Sequence, residues 1–273
     1  MFIGITDRIR QPHRYFVMVA LWLPVVACST PLDVQAANNL KRMKAEAYFA
    51  DPVQIKLAKA AAKGDKAAMD KAITAGAAVN GVGAEGMTPL FWALSKQNLE
   101  GFNHLLDKDA DPNTLSHWMA EGKERSAGAL ELAAGVENPG YLRALLDHGG
   151  DPNTLVTKGG KPLLYQAMIN RRLDNVKLLL KYGADINQQE NSLETPLMRA
   201  TKANLYEIAL FLLRAGADPT IKNDVDYGPA DNVIKYGNRG INRATNDMEA
   251  FYEYVDELAK RGLLNKEDVP IFE

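Results

Sequence analysis

Apolar residues recur along this chain with a long and regular period. A leucine followed three residues later by alanine occurs at Leu57/Ala60, Leu90/Ala93, Leu130/Ala133, Leu164/Ala167 and Leu197/Ala200, with a weaker copy at Ala230/Val233. The first members are 33, 40, 34, 33 and 33 residues apart. A turn-forming segment begins 19 residues after each leucine: Gly76-Ala77-Ala78-Val79-Asn80, Asp109-Ala110-Asp111-Pro112-Asn113, Gly149-Gly150-Asp151-Pro152-Asn153, Gly183-Ala184-Asp185-Ile186-Asn187 and Gly216-Ala217-Asp218-Pro219-Thr220. Both landmarks keep the same phase through the one longer interval, which marks a tandem repeat. Between them lie wide apolar stripes such as Val176-Lys177-Leu178-Leu179-Leu180 and Ile208–Leu213, whose spacing predicts helices.

Each unit therefore reads as two helices and a loop. In Thr88-Pro89-Leu90-Phe91-Trp92-Ala93 and Thr195-Pro196-Leu197-Met198-Arg199-Ala200, the threonine suits an N-cap and the proline a first helical turn, where its missing N–H costs nothing. The glycine of the turn segment ends the second helix, and Asp-Pro-Asn or Asp-Ile-Asn turns the chain outward. These residues resemble the ankyrin repeat, whose mark is T-P-L-H-x-A in a 33-residue unit. The resemblance covers Asp51 to Lys222 well and the remainder poorly. It implies an all-α ankyrin-repeat solenoid of about six helix–turn–helix repeats with finger loops across residues 51–240. A C-terminal capping region, 241–273, would seal the last repeat.

Two departures stand out. The 40-residue interval enlarges one finger loop, Thr114 to Gly128, which carries His117, Trp118, Glu124 and Arg125. A tryptophan among charges on a projecting loop is the kind of residue that anchors a partner, or else it folds back over its own scaffold. The final unit is also long. Met248, Phe251, Val255, Leu258 and Ala259 recur at helical spacing and predict a capping helix, with Tyr252 and Tyr254 off that stripe and free to touch a partner.

The N-terminus has a different texture. Arg8, Arg10 and Arg14 precede a 12-residue apolar stretch, Tyr15 to Val26. A spanning helix needs about 17–25 apolar residues, so this stretch has the length of a signal-peptide core instead. Val25-Val26-Ala27-Cys28 resembles the lipobox of bacterial lipoproteins and contains the chain's only cysteine. The resemblance implies a signal peptide over 1–27 and lipid attachment at Cys28. Residues 28–50 would follow as a lipidated N-terminus and tether, in which Lys41 to Phe49 has the makings of a short capping helix. Ser29 stands where an aspartate tends to retain lipoproteins in the inner membrane, so the expected place is the outer membrane, facing the periplasm.

Composition removes several classes of function. Net charge is −2, which argues against nucleic acid, since phosphate binding needs a basic face. With Cys28 lipidated, no thiol remains for a disulfide or for cysteine catalysis. Gly81-Val82-Gly83-Ala84-Glu85-Gly86 matches a dinucleotide fingerprint literally, but it falls in a finger loop with no strand before it. The four histidines, His13, His104, His117 and His148, show no metal-ligand spacing. Neither a cofactor, a metal, a small-molecule substrate nor an enzymatic activity is expected.

Binding remains. Arrays of this kind engage other proteins through finger loops and the exposed side of the first helices. The repeat phase assigns that surface to Val82, Glu85, Met87, Ser95 and Lys96, then Glu124 and Arg125 with His117 and Trp118. It continues with Lys158, Lys161, Ile169 and Asn170, then Asn191, Glu194 and Lys202. Bacterial immunity proteins against secreted lipase effectors of type VI systems include lipid-anchored and repeat-built examples, and this chain resembles that class. The resemblance implies a membrane-tethered module that binds and occludes a toxic hydrolase, contacting the membrane only through its lipid. The alternative is a scaffold for a periplasmic or envelope enzyme such as a catalase.

Overall fold

The computed structural model describes residues 44–120, 123–155 and 161–271, giving only the backbone course over 116–120 and 123–127. Cys28, the lipobox, most of the expected tether and Lys158 lie outside the described residues. The chain divides into two compact units, one holding residues up to 133 with 140–150, the other 134–139 with 151 onward.

In the first unit, α1 (Pro52–Lys63) and α2 (Lys66–Thr74) form one helix pair, α3 (Pro89–Ser95) and α4 (Leu99–Leu106) a second, and α5 (Ala129–Gly135) and α6 (Pro139–Asp147) a third. The last two residues of α5 and the first of α6 group with the second unit. That unit holds α7 (Leu163–Ile169) with α8 (Leu173–Lys181), α9 (Pro196–Lys202) with α10 (Tyr206–Arg214), and α11 (Pro229–Tyr236) with the longer α12 (Asp247–Lys260). The described residues thus carry six helix pairs, the number expected from the ankyrin-like repeats.

Local chemistry fixes these elements as the sequence suggests. The Thr88 hydroxyl accepts from the Phe91 N–H at 3.1 Å, and Thr195 caps Met198 in the same way at 3.3 Å. Gly76, Gly149, Gly183 and Gly216 all end second helices with positive φ. The leucine and alanine of the first landmark are buried in the five strong copies. Stacking neighbours is what buries them, because one helix pair has no second face to cover.

The Asp-x-Asn segment has two distinct jobs. Its aspartate closes a local turn, accepting from the N–H two residues on at 2.8 Å in Asp111/Asn113 and Asp151/Asn153. Its asparagine reaches along the array to the next turn. Asn80 donates to the Asp109 carbonyl at 2.9 Å and accepts from the Asp111 N–H at 2.8 Å. In the second unit Asn153 does the same with Gly183 and Asp185, and Asn187 accepts from the Asp218 N–H at 2.9 Å. The last copy has Thr220 instead, whose hydroxyl turns back to Asp218, and with it the ladder ends.

Three findings amend the sequence-based picture. The enlarged finger loop contains an antiparallel hairpin, β1 (Leu115–Ala120) with β2 (Lys123–Gly128), added to the otherwise helical array. Residues 45–49, where the sequence allowed a short capping helix within the tether, pack on the first repeats. A short 3-10 turn, Ala45–Ala47, leads into Tyr48 and Phe49, which are buried against Trp92 with ring centroids 5.9 and 6.4 Å apart. Finally, Tyr254 is not available to a partner. It lies fully buried within α12 against Tyr206, while Tyr252 remains exposed.

Candidate partner-binding surface

The finger loops are held open by backbone bonds rather than by a core. In the first unit the Gly83 N–H donates to the Met87 carbonyl at 2.8 Å, and Glu85 takes a left-handed conformation at the tip. The Ala84 N–H donates to the Tyr48 carbonyl at 2.7 Å. A Cβ on Gly83 would sit 2.3 Å from that same carbonyl, so the glycine is there to admit the N-terminal segment, not a phosphate. The G-x-G-x-x-G match is thus accounted for by packing. In the second unit the Glu190 N–H donates to the Glu194 carbonyl at 3.1 Å, with Leu193 left-handed at the tip.

These loops present apolar side chains to solvent at regular intervals. Val82 is 66% exposed and Val225 73%, and Leu115, Leu155 and Leu193 are exposed at intermediate loops. Leu115, Leu155, Leu193 and Val225 were not singled out by the repeat phase, although each follows the turn segment by a few residues. Strand β1 runs beside the Ala84–Gly86 turn, so two loops of the first unit are neighbours. In the hairpin Trp118 is paired with Arg125, Met119 with Glu124, and His117 with Ser126.

The structure sorts the expected surface residues. Glu85 and Lys96 are partly exposed. The Lys96 ammonium lies 4.4 Å from the centre of the Trp92 ring, and desolvation there lowers its pKa. Lys161 is partly exposed beside Tyr165, and Lys202 is exposed beside Tyr227. Met87 is a correction: it is fully buried, because the residue before the capping threonine turns inward. Ser95 is buried too, its hydroxyl donating to the Trp92 carbonyl at 2.7 Å. Asn170 is likewise buried, its amide donating to the Gln166 carbonyl at 2.8 Å, so it serves the end of α7.

Glu194 is buried as well, and its carboxylate is committed internally. It pairs with Arg199 at 2.9 Å and with Lys202, while Glu190 lies 3.6 Å from Arg199. The Arg199 guanidinium also lies over the Tyr165 ring at 4.6 Å. The side chains of α7 and α9 are thereby locked into one charged layer, which presents cations and ring edges while its acids stay inside.

No group of three or more His, Cys, Asp or Glu among the described residues is placed to hold a metal. His104 and His148 instead bridge neighbouring second helices, with Nε2 at 3.0 Å from Asp70 and 3.5 Å from Asp107.

Comparison with known proteins follows the same register. An ankyrin repeat matches residues 85–117, and three further copies match residues 130–223. The chain carries ankyrin repeats. Human protein phosphatase 1 regulatory subunit 27 is 40% identical over 74 residues, which are 27% of this chain and 48% of that protein. The mouse B-cell lymphoma 3 protein homolog is 30% identical over 152 residues, covering 55% of this chain and 33% of the relative. A putative ankyrin repeat protein of Rickettsia bellii is 33% identical over 109 residues, covering 39% and 13%. The chain spans less than half the length of these relatives. Ankyrin repeats act as protein-binding modules and are generally non-catalytic, and that coarse function is the one this array shares.

Proposed function

We propose that this protein is a membrane-tethered, periplasm-facing binding module that neutralises a toxic, lipase-type effector by occluding its active-site entrance. The observation that carries the binding part is the set of exposed apolar side chains on the finger loops, Val82 and Leu115 in the first unit and Leu155, Leu193 and Val225 in the second. One exposed aliphatic side chain needs no explanation, but one in each successive finger loop does. None of them serves the core, and apolar groups with a polar rim are what a partner's surface desolvates. The tethering part rests on the lipobox-like Val25-Val26-Ala27-Cys28. A lipid anchor would hold the array at the surface that a lipase attacks. Ala45–Phe49, at the end of the expected tether segment, packs on the array, so attachment and the finger loops occupy different parts of the chain.

The test has two arms. Cys28→Ser is expected to move the protein from membranes into the soluble fraction with its melting temperature unchanged; continued membrane association would remove the lipobox reading. Affinity capture of the Cys28→Ser protein from periplasmic extract is expected to yield a hydrolase that loses activity when bound. Capture of a housekeeping envelope enzyme that stays active would replace the immunity reading with the scaffold one. Trp118→Ala combined with Arg125→Ala is expected to weaken that capture at constant melting temperature, and a large drop in melting temperature would instead make the hairpin part of the fold.

A further inference from the structure

The first helix of the array carries cations and no acid. In α1, Lys56, Lys59 and Lys63 follow at i, i+3 and i+7, so they share one side of the helix, and Pro52 falls on the same side. All four are exposed, while Leu57, Ala58, Ala60 and Ala61 are buried on the other side. No Asp or Glu occurs among the 12 residues of α1. Lys44 extends the patch. It stands just before the Ala45–Ala47 turn, which packs on α1 and is joined to it by the Glu46–Lys59 ion pair.

The neighbouring acids are committed within the fold. Glu46 pairs with Lys59, and that hydrogen bond holds its carboxyl below the usual carboxylate range. Asp51 accepts from the Val53 N–H at 2.9 Å and Asp65 from the Ala68 N–H at 3.0 Å, each capping a helix. Asp70 lies 2.9 Å from Lys108 and 3.0 Å from His104, both in the next repeat. By contrast, the Lys44, Lys56 and Lys63 ammonium groups have no ion pair or hydrogen bond among the described residues. The sequence shows the same asymmetry on a larger scale. Residues 28–75 hold eight Lys and Arg against five Asp and Glu, and residues 76–273 hold 21 against 28. A chain of net charge −2 thus has a basic first repeat and an acidic remainder.

We infer that the Lys44/Lys56/Lys59/Lys63 face of the first repeat docks on an anionic phospholipid surface. The ammonium groups would meet headgroup phosphates while the lysine stems lie along the helix. The attraction reaches about 8 Å at physiological ionic strength. This contact is separate from the lipid at Cys28, and the inference does not need that lipid. An acyl chain and a basic patch are independent signals, and one chain alone binds only marginally. With Cys28 lipidated, only 15 residues would separate the anchor from Lys44, which raises the effective concentration of the face at the membrane. A nucleic acid suits the face less well. The face presents no arginine, aromatic ring or amide to grip a base or to fork onto a phosphate, and lysine point charges match a diffuse layer of headgroup charge.

The experiment sediments the full chain carrying Cys28→Ser with vesicles of phosphatidylcholine alone or of phosphatidylcholine with roughly one-third phosphatidylglycerol. Binding to the anionic vesicles is expected to be at least about tenfold tighter at low salt, and to be lost near 1 M salt, where the screening length falls to about 3 Å. Lys44→Gln/Lys56→Gln/Lys63→Gln is expected to weaken it at least about tenfold at an unchanged melting temperature, since all three side chains are exposed. Arginine at the same three positions is expected to keep it. Lys177→Gln/Lys181→Gln/Lys260→Gln removes the same charge from other exposed positions and is expected to change nothing. Should the first variant melt lower, its three single substitutions decide instead, each expected to lose about twofold or more. Equal binding to both vesicles, undiminished binding by the first variant, or an equal loss in the second would overturn the inference. So would tighter binding of a short DNA duplex than of the anionic vesicles, which would assign the face to nucleic acid. The anchor stands or falls separately, because a lipid holds in 1 M salt and the lysine face does not. Association of the Cys28→Ser chain with cell membranes in 1 M salt would count against the anchor, and salt-sensitive association would count for the face.

Discussion

The two ends of the array face the same physical problem and solve it at different scales. A terminal repeat has an apolar side with no neighbour, and something must cover it. At the N-terminal end the cover among the described residues is short, 45–49: Ala45, Tyr48 and Phe49 are buried, and two aromatic rings rest on Trp92. At the C-terminal end the cover is α12, 14 residues long, with Phe251 and Tyr254 packed on Tyr206 at 4.9 and 5.8 Å. Polar staples reinforce it. Asp247 is buried and accepts from Arg171 at 2.5 Å, from the Thr245 hydroxyl at 2.6 Å and from the Glu207 N–H at 3.1 Å. Beyond the helix the chain returns so closely that a Cβ on Gly237 would lie 1.6 Å from the Pro270 carbonyl. A seal can be small where it covers one large ring. It must be long where it replaces the whole second helix of a repeat.

That difference can be broken by substitution. Phe251→Ala should cost the most, about 3–5 kcal/mol, the usual loss for a fully buried aromatic ring. Phe49→Ala should cost less, about 2–3 kcal/mol, because the short N-terminal seal can peel away instead of leaving a cavity. Urea denaturation of the two variants gives the ranking, and a larger loss for Phe49→Ala would reverse the comparison. Gly237→Ala should cost more than about 1 kcal/mol, since its φ of 56° and the approach of Pro270 both exclude a side chain. Susceptibility of the last residues to carboxypeptidase should rise with it.

The smallest effect concerns one oxygen. The Tyr254 hydroxyl is buried without a hydrogen-bond partner, so Tyr254→Phe should leave stability equal or raise it by up to about 1 kcal/mol. Burial also pushes the Tyr254 phenol far above its ordinary pKa, and Tyr227 up to about 12. A phenol whose folded pKa is raised contributes stability that is complete below the unfolded value near 10 and lost as pH climbs past it. Stability should therefore fall between about pH 10 and 12. Tyr254→Phe should flatten that fall, and an unchanged alkaline slope would show that Tyr254 ionises as freely in the folded protein as in the unfolded one.

Much of this architecture was legible in the sequence because each repeat writes its own punctuation. Thr88 and Thr195 cap as their position implies, and Asn80, Asn153 and Asn187 explain why the turn segment ends in asparagine. The seals were less legible. Tyr48 and Phe49 sit outside the repeat phase, and nothing local says that Trp92 needs them. Tyr254 was placed off the apolar stripe because the stripe was drawn for one contact face, whereas α12 is buried over a wider arc by Tyr206. Met87 and Asn170 look like loop and helix-end surface in sequence, but Met87 lies just before the capping Thr88 and Asn170 just after the last residue of α7, and both turn inward. The hairpin at 115–128 lacks the strict alternation of a half-buried strand, so spacing alone gave a loop.

In the proposed division of labour the finger loops bind and the helices hold the fold. The most direct measurement is titration calorimetry of the captured partner against the Cys28→Ser protein and its Leu155→Asp/Leu193→Asp/Val225→Asp variant, with a thermal melt of each. A loss of affinity of at least about a hundredfold at an unchanged melting temperature, on the scale of lost interface anchors, is the expected result. Unchanged affinity, or a melting temperature lowered by several degrees, would contradict it.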